Sequence, residues 1–92
     1  MTPSWPFPDP RETAVLSLQR IVKHGMPILY VLHDADGTWQ FLDGADVSRE
    51  DAMFVTLEQI TQLDPTLLDL ATLPLGAKAI RRTQCSPWQR VK

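Results

Sequence analysis

YVLHDADGTWQFLDG, residues 30–44, decides how the chain reads, because two short apolar runs flank a pair that tolerates positive φ. Ile28, Tyr30 and Leu32 alternate with Leu29, Val31 and His33; Asp36-Gly37 then supplies the turn, and Trp39 and Phe41 resume the alternation. The pattern predicts a β-hairpin over residues 28–42. If Asp36-Gly37 alone forms the turn, Leu32 faces Phe41. If Asp34 to Gly37 form a longer one, Leu32 faces Trp39 and Tyr30 faces Phe41. Both registers put Tyr30, Leu32, Trp39 and Phe41 on one face, where aromatic cross-strand pairs add about 0.2–1 kcal/mol each.

Working outward, four prolines among residues 3 to 10 predict an extended arm over residues 1–9 that lays Trp5 and Phe7 across the domain. Asp9-Pro10-Arg11-Glu12 resembles a capping box with proline at the first helical position, and Ala14, Leu18, Ile21 and Val22 follow at helical spacing. An N-terminal helix is therefore expected, ended by Gly25 and Pro27. Beyond the hairpin, Asp43-Gly44 makes a second turn, and Ser48 to Asp51 cap one helical turn or close a loop. Met53 to Thr56 reads as a third strand. Thr56-Leu57-Glu58-Gln59 opens a short helix carrying Leu57, Ile60 and Leu63, and Asp64-Pro65 opens another that buries Leu67, Leu68 and Ala71. Residues 77–83 supply the final strand, and 84–92 a tail containing Trp88. The fold expected is α+β: an N-terminal helix, a β-hairpin, a third strand, two short helices and a final strand, in a mainly antiparallel sheet with helices on one face. All 92 residues are expected to form a single domain.

Composition narrows the function classes. Hydrophobic residues at 43% with charged residues at 22% suit a folded chain rather than a disordered one. A formal charge of −2 offers no footprint for nucleic acid. The start, MTPSWPFPDP, lacks a basic and apolar leader, and no window approaches the ~20 apolar residues of a membrane span, so a cytoplasmic protein away from membranes is expected. Cys85 is the one cysteine, so an internal disulfide is impossible.

Asp34, Asp36, Asp43 and Asp46 lie in or beside turns, where oxygen-rich loops can hold calcium. Aligning Asp36-Gly37 with the end of an EF-hand D-x-D-x-D-G puts the first ligand on Leu32, so turn stabilisation is the better account and no metal or cofactor is expected. His33 followed by Asp34 invites a general-base reading, although neighbouring strand residues point to opposite faces. No nucleophile is set against a base and no glycine-rich phosphate loop occurs, so the chain is not expected to be an enzyme; no catalytic residue is assigned. His24 suits the end of the first helix. Charge is segregated: residues 34–51 hold Asp34, Asp36, Asp43, Asp46, Glu50 and Asp51 against Arg49, whereas Lys78, Arg81, Arg82, Arg90 and Lys92 follow the last acid, Asp69. Such asymmetry steers a charged protein partner or sets the register of a homodimer. Trp39 is expected in the core, while Trp5 and Trp88 either seal the edges or meet a partner.

Gly25-Met-Pro-Ile-Leu-Tyr-Val31, the G-x-W-x-F-L-x-G motif of Gly37, Trp39, Phe41, Leu42 and Gly44, then Asp64-Pro65 and Leu73-Pro74-Leu75-Gly76, resemble a family of small bacterial proteins containing a domain of unknown function. The resemblance covers about residues 12–83, and that family is similar to proposed immunity proteins of toxin systems. It implies a non-catalytic binder that occludes a partner protein, with an acidic surface suited to a basic one. The contact surface expected is Asp34, Asp36, Trp39, Asp43 and Asp46. The competing expectations are a small enzyme or ligand-binding protein with a cleft at His33, and a homodimer joined through an uncovered sheet edge.

Overall fold

The computed structural model describes residues 5–91; Met1 to Ser4 of the proline-rich arm and Lys92 of the basic segment lie outside them. Strand β1 (Ala14–Leu18) leads into a single helical turn, α1 (Gln19–Val22), followed by β2 (Tyr30–His33), β3 (Trp39–Leu42) and β4 (Ala52–Thr56). Helix α2 (Leu57–Leu63) and a 3-10 helix (Pro65–Leu70) come next, then β5 (Lys78–Ile80) and β6 (Gln89–Val91). The fold is α+β, built on one six-stranded mixed sheet in the order β4-β1-β3-β2-β5-β6. The mainly antiparallel sheet with helices on one face is met only in part: β1 runs parallel to β3, and the expected N-terminal helix is a strand plus one turn.

The hairpin forms, but in a register neither turn length provided. The loop runs from Asp34 to Thr38, closed by Asp34 N–H to Thr38 C=O at 2.8 Å and Gly37 N–H to Asp34 C=O at 2.9 Å. Gly37 takes φ +95°, the left-handed region that a side chain would strain. This odd-length loop pairs His33 with Trp39, Val31 with Phe41 and Tyr30 with Leu42. Trp39 and Phe41 do share the buried face, as expected, but Val31 and His33 join them there instead of Tyr30 and Leu32. A one-residue change in register exchanges the two faces of a strand.

The helix expected from Asp9 onward is the larger correction. Residues 14–18 pair along their whole length with β4, from Ala14 opposite Thr56 to Leu18 opposite Ala52, and Leu16 also aligns with Gln40 of β3. Leu57 N–H and Glu58 N–H extend the pairing to the carbonyls of Thr13 and Arg11. Inside the strand, Val15 and Ser17 are buried, and the Ser17 hydroxyl donates to the Phe41 carbonyl at 2.9 Å, satisfying both groups at the parallel seam. Asp9 caps no helix. Its carbonyl accepts from Trp5 Nε1 at 2.7 Å, and its carboxylate lies 3.4 Å from Trp39 Nε1.

Thr56 and Gln59 form the expected capping box at α2, each side chain bonding the other's backbone N–H. Leu57 and Ile60 are buried, but Leu63 is exposed and Thr61 takes the inward position. Asp64 caps the next helix through Thr66 N–H, and Leu67, Leu70 and Ala71 are buried while Leu68 faces out, as 3-10 winding shifts the apolar stripe. These residues close one cluster with Val15, Val31, Trp39, Phe41 and Ala79. The expected tail is part of the sheet: β6 pairs with β5, from Lys78 opposite Val91 to Ile80 opposite Gln89.

Trp39 has no exposed surface; it stacks on His33 with centroids 3.8 Å apart and meets Phe7 edge-on at 5.4 Å. Trp39→Ala is expected to cost about 3–5 kcal/mol through lost transfer energy and the cavity left behind, measured by urea unfolding. A loss under 1 kcal/mol would show that the cluster does not depend on the indole.

Candidate functional site

Asp34 and Asp36 sit together on the hairpin loop, with Asp34 Oδ1 accepting from Ala35 N–H at 2.8 Å and Asp36 Oδ1 from Thr38 N–H at 2.9 Å. That bond from Thr38 is the first cause holding the Asp36 carboxyl below its ordinary value. Asp43 and Asp46 follow β3 and so lie at the opposite end of the hairpin. The structure therefore separates the expected contact residues into two places, and it withdraws two of them from the surface. Trp39 is fully buried, and the Asp43 side chain is 6% exposed.

Asp43 is held by Arg20 of α1 in a two-pronged pair, Nε to Oδ2 at 2.6 Å and Nη2 to Oδ1 at 2.8 Å. The same guanidinium reaches Asp51 at 2.9 Å and the Asp46 carbonyl at 3.1 Å, fastening the whole 43–51 loop to the first helical turn. The hydrogen bond from Arg20, opposed by partial burial and helped by Ala45 N–H, holds the Asp43 carboxyl below the usual carboxylate range; Arg20 is raised, chiefly by the same bond. Asp43, one of the acids that looked like a docking surface, is thus an internal fastener. Among the described residues, Asp34, Asp36, Asp46 and Glu50 enter no ion pair.

His33 is 8% exposed, clamped flat against Trp39, with Nδ1 2.7 Å from the Leu73 carbonyl. That contact requires a proton on Nδ1, and Asp34 turns its carboxylate to its own loop, so the two do not form an acid–base pair. Among the described residues, no group of three or more His, Cys, Asp or Glu side chains is placed to hold a metal ion.

Sequence reasoning missed the side of the sheet away from the core. Register places Leu16, Tyr30, Leu32, Leu42, Phe54 and Ile80 on one continuous face: Leu16 pairs with Phe54, Tyr30 with both Leu42 and Ile80, and Leu32 with Gln40 and Lys78. Phe54 is 68% exposed on edge strand β4. Tyr30, Leu32, Gln40 and Leu42, with Gly44 and Ala45, line a shallow hollow of about 220 Å³ in the middle of it. The sequence carried little signal for this face: Ala14-Val15-Leu16-Ser17-Leu18 does not alternate, its one polar residue, Ser17, is buried, and helical spacing fitted Ala14 and Leu18.

A second arginine, Arg81, this one buried, joins the C-terminal segment to the 3-10 helix. Its Nε donates to the Ile28 carbonyl at 2.9 Å, Nη1 reaches Thr66 and Gln84, and Nη2 pairs with Asp64. Trp88 covers the guanidinium at 4.1 Å and donates its Nε1–H to Thr66. Trp5 packs on Phe7 under Arg11. Both flanking tryptophans therefore seal edges of the core. Exposed Cys85 borders a cleft of about 510 Å³ beside Trp88 and Arg90. No helix among the described residues is long and apolar enough to cross a membrane.

Comparison with protein-family models, with curated proteins and with solved structures finds no match.

The Asp43 carboxyl titrates lower in the folded chain than in the unfolded one. Its contribution is complete above the ordinary value of about 3.9 and is lost as pH falls through the depressed folded value. Asp36 acts in the same direction. Stability is expected to be level from pH 7 to about 5 and to fall below about 4. Asp43→Asn should lower the denaturation midpoint at pH 7, with the gap to wild type narrowing at pH 3. A gap independent of pH would contradict the Arg20 pairing.

Proposed function

We propose that the chain is a non-catalytic protein-binding module whose contact surface is the open face of the sheet, bordered by the acidic loops at either end of the hairpin. The observation that carries this reading is Phe54, a large aromatic side chain 68% exposed on the same face as Leu16, Leu32, Tyr30 and Ile80. Contiguous apolar surface rimmed by polar groups is characteristic of interaction sites. Exposed Asp36, Asp46 and Glu50 add negative charge around it, and charge of one sign at a rim sets the on-rate and choice of partner. An immunity-like role, in which the domain occludes a basic partner, is one form of such binding. The competing reading, a cleft chemistry at His33, has less support, since that imidazole is buried against Trp39 with one nitrogen engaged by Leu73.

Two variants separate the parts of the surface. Asp46→Lys with Glu50→Lys reverses the charge of the exposed loop after β3. Phe54→Lys places a charge on the apolar face at its β4 edge. Each is expected to retain the wild-type circular dichroism spectrum and to bind at least tenfold more weakly to a protein recovered by the wild type from native extract, measured by titration calorimetry. Wild-type affinity in both variants would overturn the proposal.

A further inference from the structure

We infer that the occupant of this open face is a second copy of the chain, related by a two-fold axis that runs along the strands between β2 and β3. The inference rests on the proposal that the face is a binding surface, and it names the partner.

The strand order fixes what such an axis brings together. The middle of β4-β1-β3-β2-β5-β6 falls between β3 and β2, so the rotation lays β4 over β6 of the second copy and β1 over β5. Phe54, Leu16, Gln40, Leu32, Lys78 and Val91 lie at one level across the sheet. The most exposed ring on the face, Phe54, therefore meets Val91 of the second copy, and Leu16 meets the aliphatic stem of Lys78. One level away, Tyr30 meets Leu42 across the axis, over the central hollow. Two sheets stacked with strands nearly aligned, about 10 Å apart, are a standard packing of β-structure.

Charge distinguishes this arrangement from its alternative. Arg82 follows Ile80 at the end of β5 that pairs with Tyr30, the same end at which Leu42 enters the 43–51 loop; that loop crosses the end of β1, where Gln19 N–H bonds the Asp51 carbonyl at 2.7 Å. Rotation about the strand direction sets Arg82 over the Asp46 and Glu50 segment of the other copy. Rotation about the perpendicular in-plane axis would instead set that acidic loop against Asp34 and Asp36, acid on acid. The favoured axis does bring the two hairpin loops together, so Asp34 and Asp36 oppose the dimer.

Six strands spaced about 4.8 Å apart and about four residues deep give a face of about 400 Å² in projection. The two faces together supply about 800 Å², below the about 1,200 Å² at the lower end of stable interfaces, so side-chain relief and the bordering loops must add the rest. A weak dimer is expected.

Sedimentation equilibrium of the full chain, from about 1 to 500 µM, tests this directly. Wild type is expected to dimerise, Phe54→Lys to be monomeric, and Arg82→Glu to weaken the dimer at least tenfold. Asp34→Asn with Asp36→Asn is expected to tighten it. Mixing Arg82→Glu with a copy carrying Asp46→Lys and Glu50→Lys should restore the affinity that each variant alone has lost. A wild-type chain monomeric throughout this range, or a dimer indifferent to Phe54→Lys, would overturn the inference. Monomeric wild type whose capture of another protein is nonetheless lost in Phe54→Lys would discard self-association while leaving the binding surface in place.

Discussion

The structure depends on how the Trp39 indole is enclosed. It lies between His33, Phe7 and Phe41: the hairpin pairs His33 with it, Phe41 stands two residues along the same strand, and the N-terminal arm brings Phe7. Aromatic pairs of this kind contribute about 0.5–1.5 kcal/mol each beyond the area they bury. Because the stack occupies one side of the hairpin, α2 and the 3-10 helix must pack there, with Leu57, Ile60, Leu67 and Leu70 completing the cluster. Tyr30 and Leu32 are left on the other side with no helix to cover them. The enclosure of one ring thus creates the open face.

Polar groups do the remaining fastening. Arg20 ties the loop before β4 to the turn after β1, and Arg81 ties the segment after β5 to the cap of the 3-10 helix. Each guanidinium bonds both carboxylate and carbonyl oxygens across irregular segments, a task suited to its planar array of donors. The partial exposure of the Arg20 cluster leaves it open to screening, whereas Arg81 is shielded by Trp88. Acidic residues that look available in the sequence are therefore divided between internal partners and solvent, and only those in solvent can steer another molecule.

Local signals were legible where local chemistry decides. The capping box at Thr56 and Gln59, the Asp64-Pro65 helix start, the turn at Gly37 and the third strand all follow from residues within a few positions of each other. The register of the hairpin was not legible, because a loop one residue longer or shorter satisfies the same glycine. Strand β1 was misread because its identity comes from Ala52–Thr56, almost 40 positions away, and pairing along five residues overrides a helical spacing that was itself satisfied by Ala14 and Leu18. The candidate site went astray for the same reason. Trp39 and Asp43 are prominent in sequence yet internal, and the face holding Leu16 and Phe54 exists only once β1 is recognised as a strand.

The insertion of β1 between β3 and β4 also governs the order in which the chain can mature. A ribosome delivers residues 14–18 first, but their neighbours at 40 and at 52–56 emerge later. Until then the nascent segment has hydrogen-bonding edges on both sides and nothing to pair with, and the hairpin, whose contacts are short-range, closes earlier. Completion of the sheet must await translation of β4, so the interval between those two events is when this chain is most exposed to aggregation and to chaperones.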